Sequence, residues 1–179
     1  MFISLIRKRR SIRRYKQEPV EAEKLELLVE AALLSPSSMG NNPWEFVIVT
    51  EPEVLERLST AKPHGATFLK NAPLGIIVCA DPGKSSVWIE DASIAAIFIH
   101  LAAESLGLGS CWIQIRDRMH SEDRSAGAYL SEILGIPGHL KVEAMVAIGY
   151  PAEKMAPHPE EALLYEKVFL GAYGRPYKT

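Results

Sequence analysis

Residues 86–106, SVWIEDASIAAIFIHLAAESL, constrain the fold more than any other stretch. The segment has the length of a long helix, and Gly107-Leu108-Gly109 ends it in the manner of a C-cap. Ile89, Ala92, Ile94, Ala95, Ala96, Ile97, Phe98, Ile99, Leu101, Ala102 and Ala103 leave hardly any polar face. A helix apolar nearly all round must be buried nearly all round. In a chain of 179 residues one sheet cannot cover it fully. A second subunit is the natural cover, and a long central helix at a dimer interface is the expectation. Glu90, Asp91, His100 and Glu104 argue against a membrane span.

The other elements arrange themselves around this helix. Residues 2–9 suit a short helix. Leu25, Leu28, Val29 and Ala32 recur at helical spacing within 21–34, with Glu21 and Glu23 at the positive end, and Ser35-Pro36 stops the helix. Residues 37–43 are a loop of small polar residues. Strands are predicted at 45–50 (EFVIVT), 74–80 (LGIIVCA), 110–115 (SCWIQI) and 142–149 (VEAMVAIG). Short helices are predicted at 52–58 and within 61–71, and a longer one at 121–134. The tail from Tyr150 carries four prolines and little periodicity, and suits wrapping another surface. The order implies an α+β domain spanning 1–179, with a mixed central sheet covered on both faces by helices.

Charge is distributed unevenly. Residues 7–16 hold seven basic side chains, whereas the rest of the chain sets thirteen against 22 acidic ones. An acidic protein with one dense basic segment has a local use for positive charge. A nucleic-acid binder would carry a wider basic surface, so that class is set aside. Cys79 and Cys111 sit in apolar runs without metal spacing, as buried free thiols would in a reducing compartment. The apolar residues 2–6 precede the basic run, the reverse of signal-peptide order. The expectation is a cytoplasmic protein with no membrane segment and no metal.

Two segments could carry chemistry. In Arg9-Arg10-Ser11-Ile12-Arg13-Arg14-Tyr15 the guanidinium forks suit phosphate oxygens, and a hydroxyl adds a donor. In extended backbone alternate residues face one way, so Arg9, Ser11 and Arg13 could meet one anion. In Ser35-Pro36-Ser37-Ser38-Met39-Gly40-Asn41-Asn42-Pro43-Trp44, hydroxyls, amides and a glycine offer close backbone approach to a ligand. A solvated basic stretch and a turn-rich connection are the plain alternatives for each.

Taken in order with the GLGSCWI of 107–113, the two segments resemble the nitroreductase family of flavoenzymes over essentially the whole chain. The resemblance implies an FMN-dependent NAD(P)H oxidoreductase, a homodimer with FMN at the subunit interface. It acts by a ping-pong mechanism on nitroaromatics, quinones or similar electron-poor acceptors, with NADH or NADPH as donor. By position, Arg9, Arg10, Ser11 and Arg13 would hold the phosphate and ribityl chain or the pyrimidine edge. Pro36, Ser37, Ser38 and Gly40 would reach the flavin of the other subunit, with Asn42 near the ring. Trp112, Ile113 and Gln114 would lie along the flavin, a main-chain N–H near the reactive nitrogen. No catalytic acid or base is nominated, because the cofactor carries the redox step.

The chain departs from the family pattern at four places. Gly40 replaces an asparagine, Asn42 a glutamine, and Gln114-Ile115 a glycine-containing pair. The tail lacks a Lys-x-Arg phosphate contact, for which Lys154 is a weak substitute. These departures keep a second reading in view, a flavin-binding carrier or sensor without turnover. Other patterns carry less. Gly107-Leu108-Gly109 follows a helix and lacks the third glycine of a dinucleotide fingerprint. Glu90 and Asp91, about 100° apart on a helix, are poor acid–base partners and read as first-turn charges. The five histidines show no metal spacing, and Trp44, Trp88 and Trp112 read first as packing residues.

Overall fold

A computed structural model describes residues 2–178. Its elements are α1 (Phe2–Lys8), α2 (Ala22–Leu33), β1 (Trp44–Val49), α3 (Pro52–Ser59), β2 (Leu74–Ala80), α4 (Trp88–Ser105), β3 (Gly109–Gln114), α5 (Ala126–Leu134) and β4 (Lys141–Gly149). The expected α+β plan holds, with strand edges within a residue or so of those read from the sequence.

The sheet runs β1-β2-β4-β3, and each neighbouring pair is antiparallel. Its mixed character is thinner than expected, being confined to one parallel bridge, Ser11 to Ser110, at the β3 edge. The physical reason lies in β4. The α4 crossover leaves β2 and β3 pointing the same way, but β4 inserts between them and pairs antiparallel with both. Every residue of β2 is buried, as a strand covered on both faces must be. One core holds Leu55, Leu58, Leu130, Ile77 and Met145 beneath α3 and α5. The other holds Leu28, Ile76, Val146, Ile99 and Ala103 beneath α2 and α4.

Helix α4 shows one face fully buried, through Ala92, Ala95, Ala96, Ile99 and Ala103. A second apolar stripe, Ile94, Ile97, Phe98 and Leu101, is only partly covered, and Ile97 remains 43% exposed. Its i, i+3, i+4, i+7 spacing makes it one continuous face. In the tail, Leu163, Leu164, Val168, Leu170, Tyr173 and Tyr177 are also exposed.

The helix expected over 121–134 begins instead at Ala126. Residues 119–125 close a turn, with Met119 bridging Ser125 and the N–H of His120 donating to the carbonyl of Arg124. Ser125 is the N-cap, its hydroxyl accepting from the N–H of Ala128 at 3.1 Å, and Gly135 ends the helix at φ 66°. Ser125→Ala should lower stability by about 1 kcal/mol. An unchanged denaturation midpoint would show that the turn, not the cap, sets the helix start.

Candidate functional site

The basic segment lies along the free side of β3. The N–H of Ile12 donates to the carbonyl of Ser110 at 3.0 Å. On its other side the tail returns beside it. The N–H of Lys16 donates to the carbonyl of Tyr150 (2.8 Å), and that of Ala152 to the carbonyl of Arg14 (2.9 Å). The Glu153 carboxylate accepts from the N–H groups of Arg13 and Arg14, at 2.7 and 3.2 Å. Ile12 and Tyr15 are buried anchors, and the Tyr15 hydroxyl reaches the carbonyl of Ala147 at 3.2 Å.

With Ile12 turned inward, the neighbouring side chains separate by alternation. Ser11, Arg9 and Arg13 gather around Cys111. The Ser11 hydroxyl and both guanidiniums favour the Cys111 thiolate, but burial dominates and pushes that thiol up. Arg13 also lies over the Phe68 ring, 5.8 Å from its centroid. Arg10 goes the other way: its guanidinium donates to the carbonyl of Ala156 in the tail. Among the described residues none of Arg9, Arg10 and Arg13 takes part in an ion pair. Among the described residues the nearby Glu153 carboxylate binds the backbone of Arg13 and Arg14 and leaves the Arg9 and Arg13 guanidiniums without a counter-charge.

Three further residues matter here: Lys62 escaped the sequence reading, His100 is the satisfied core residue that its apolar helix implies, and Asp91 does more than its place in a first turn suggests. Lys62 is part-buried, and burial, then the Arg118 charge, lower its pKa; the Cys111 thiol acts weakly in the other direction. Nothing in its local sequence marks it, since a loop brings it there. His100, on α4, pairs through Nδ1 with the Ser110 hydroxyl at 2.7 Å. Burial, then the Arg9 charge, hold its imidazole down to about 4. An unfolded histidine titrates near 6.5, so the folded state binds this proton less readily. Stability should therefore be present above pH 6.5 and decline as the pH falls through 6.5 toward 4. His100→Gln should flatten the loss between pH 7 and 5 in urea titrations; an unchanged slope would place its origin elsewhere. The third is Asp91, described below with the loop it holds.

Strand β3 supplies an edge. Ser110 uses its carbonyl outward, toward Ile12, so antiparallel alternation turns the main-chain groups of Trp112 and Gln114 outward as well. Of the three residues expected to lie along a flavin, Ile113 is 1% exposed and belongs to the core under α3 and α5. Its side chain is unavailable to a ligand. The Trp112 indole donates to the Gln114 side chain at 3.0 Å, and the Gln114 amide donates to the carbonyl of Arg116 at 3.0 Å. Beneath them Glu143, 2% exposed, accepts from Arg116 Nε at 2.9 Å. Burial raises the Glu143 pKa, and Arg116 opposes the rise.

The loop before β1 is locally closed. Ser37 Oγ accepts from the N–H of Asn42 and donates to Asn42 Oδ1, both at 2.8 Å. Met39, Gly40 and Asn42 have φ of 52°, 69° and 45°. Only Gly40 adopts that region without a Cβ penalty. The Asn42 oxygen is engaged within the loop. The loop is tied to α4 by Asp91: Oδ1 accepts from the N–H of Ser38 (2.8 Å) and Oδ2 from the Ser85 hydroxyl (2.7 Å).

Sheet order keeps the two segments apart. Ser11 sits beyond β3 at the level of Ser110, Ile148 and Leu74, whereas the loop enters β1 at the level of Trp44, Ala80 and Lys141. At about 4.8 Å between strands and 3.4 Å per residue, the two lie at opposite corners, roughly 20 Å or more apart. Arg9, Ser11, Arg13 and the β3 edge thus form one candidate half-site, and Pro36, Ser37, Ser38, Gly40 and Asn42 another. One chain does not bring them together.

The comparisons with known proteins agree with this architecture. The family model "Nitroreductase family" matches residues 6–63 and 60–150. A Methanothermobacter thermautotrophicus protein named "Putative NADH dehydrogenase/NAD(P)H nitroreductase" is 38% identical over 154 residues, covering 84% of this chain and 78% of that one. "FMN reductase [NAD(P)H]" of Bacillus subtilis is 28% identical, covering 90% of this chain and 71% of its own. The solved structure of an FMN-dependent nitroreductase from Clostridium difficile R20291 superposes with a TM-score of 0.94 at 48% identity, covering 96% of this chain and 99% of that one. On the fold, the motifs and these matches, the chain belongs to the nitroreductase family.

Proposed function

We propose that this oxidoreductase binds FMN in a site completed by two copies of the chain and reduces electron-poor acceptors, nitroaromatics or quinones, at the expense of NADH or NADPH. The observation that carries the reading is the separation of the two half-sites. Each has a ligand-binding composition, and they meet only if a second copy brings its loop to the β3 edge of the first. The partly covered α4 stripe and the apolar tail residues supply surface for such a pairing. Relatives named for FMN and NAD(P)H support the cofactors. Among the described residues no helix is long and apolar enough to cross a membrane.

The residues fit FMN. Arg9, Ser11 and Arg13 offer charge-assisted donors for a phosphate or the pyrimidine edge, with guanidiniums that among the described residues pair with no carboxylate. From Ser110 to Gln114 the edge runs about 13 Å, long enough for an anionic group at one end and a planar ring at the other. The outward N–H groups of Trp112 and Gln114 are the main-chain donors for the ring. Arg10, turned to the tail, orders Ala156 and leaves the phosphate to Arg9 and Arg13. Pro36, Ser37, Ser38 and Gly40 approach from the second copy, and Asn42 contributes loop closure more than a ring contact. FMN held by these residues would supply two-electron redox chemistry between NAD(P)H and the acceptor, and a single open flavin face used in turn by both would give ping-pong kinetics.

Anaerobic addition of NADH, then NADPH, to the FMN-loaded protein tests the activity. Bleaching followed by recovery on adding a quinone or nitroaromatic is the expected result. A bound flavin that never bleaches would favour the carrier or sensor.

A further inference from the structure

Asp91 is a buried carboxylate that holds the 37–42 loop of its own chain and has no part in the basic group around Arg9, Ser11 and Arg13. It is 2% exposed, sits in the first turn of α4, and accepts through Oδ1 from Ser38 in the loop at 37–42 and through Oδ2 from Ser85 just before α4. That loop needs holding. Met39, Gly40 and Asn42 all lie at positive φ, and two of them carry a Cβ. Such conformations persist only where surrounding contacts determine them. Beyond the Ser37–Asn42 closure, Asp91 supplies the tie from the loop to the rest of the fold, through the N–H of Ser38. Ser85 fixes the second oxygen, so the carboxylate cannot rotate away.

We infer that Asp91 is a positioning residue for the cofactor site of the partner subunit. The inference rests on the proposed two-chain FMN site. Asp91 sets the height and direction of the 37–42 loop, and that loop closes over the ring held by the other chain. The same helix carries His100, nine residues on and about 13.5 Å along the axis, paired with Ser110 in its own chain's half-site. One rigid helix thus spans the two half-sites of a chain and fixes their spacing.

Hybrid dimers test this directly. Two differently tagged chains, one Asp91→Ala and the other Arg9→Ala with Arg13→Ala, are co-expressed and the mixed dimer is purified. FMN is then titrated by fluorescence quenching. The Asp91→Ala homodimer should lose at least about tenfold in FMN affinity, as the loss of a charge-assisted hydrogen bond implies. Asp91→Asn should stay within about threefold, because the carboxamide oxygen still accepts from Ser38 and the Ser85 hydroxyl can turn to accept from the amide. In the hybrid, one site combines both defects and the other combines an intact loop with an intact basic segment. It should therefore show one site of wild-type affinity per dimer, which also proves that the Asp91→Ala chain folds. A hybrid with no wild-type site, or an Asp91→Ala homodimer of unchanged affinity, would overturn the inference. Unchanged affinity in the Arg9→Ala, Arg13→Ala homodimer would instead overturn the FMN site beneath it.

Discussion

Replacing Arg9 and Arg13 together with alanine is expected to cut FMN affinity by roughly 10²–10⁴-fold while leaving the fold intact. Two charge-assisted contacts of about 1.5–3 kcal/mol each set that range. The fold survives because neither guanidinium is in an ion pair among the described residues, and the segment is held by backbone bonds with Ser110, Tyr150 and Ala152 and by Ile12 and Tyr15. Arg9→Lys with Arg13→Lys should recover only part of the loss, since an ammonium does not reproduce the planar fork. Arg10→Ala is the control. Its guanidinium serves Ala156 in the tail, so FMN affinity should change by less than about threefold, the scale of a weak or absent contact. Equal losses for Arg10 and for the Arg9–Arg13 pair would show that the side chains do not divide as described.

Gly109→Ala should damage stability and cofactor binding together. A Cβ at Gly109 would come within 2.8 Å of Ile12 Cβ, Cγ1 and Cγ2. Cβ cannot swing aside by a rotamer change, so the backbone of the basic segment must move away from β3. Overpacking of this kind costs about 1–3 kcal/mol, or several degrees in melting temperature for a chain of this size. The movement carries Ser11 and its flanking arginines off the edge, and FMN affinity should fall with it. Gly107→Ala is a useful contrast: its φ is 76° but nothing lies within 4 Å of the added carbon. It should cost about 1 kcal/mol through backbone strain and leave FMN affinity unchanged. A Gly109→Ala protein that melts lower yet binds FMN normally would show that the segment can shift without disturbing the site.

Much of this was legible before any coordinates. The period of 21–34, the apolar runs of the strands and the charge-poor α4 follow from side-chain periodicity, which local geometry imposes whatever the tertiary context. Alternation along extended backbone sets Arg9, Ser11 and Arg13 on one side, and all three act on the Cys111 thiol. What the sequence could not give is what depends on sheet order. Insertion of β4 between β2 and β3 makes the sheet antiparallel and puts the two motif-bearing segments at opposite corners. The start of α5 was misplaced because polar residues 121–124 suit a first turn as well as a loop, and only the Ser125 cap decides. Asp91 was read as a helix-dipole charge, since its partners Ser38 and Ser85 are joined to it by folding alone. Lys62 and Glu143 carried no motif and became visible only through what surrounds them.

Sedimentation velocity of the FMN-loaded protein, followed at 280 nm and at the flavin band, tests the two-chain site most directly. The account predicts that flavin absorbance travels only with a dimer, at two FMN per dimer, and that dilution to monomer releases it. A monomer that keeps FMN bound at full affinity would contradict it.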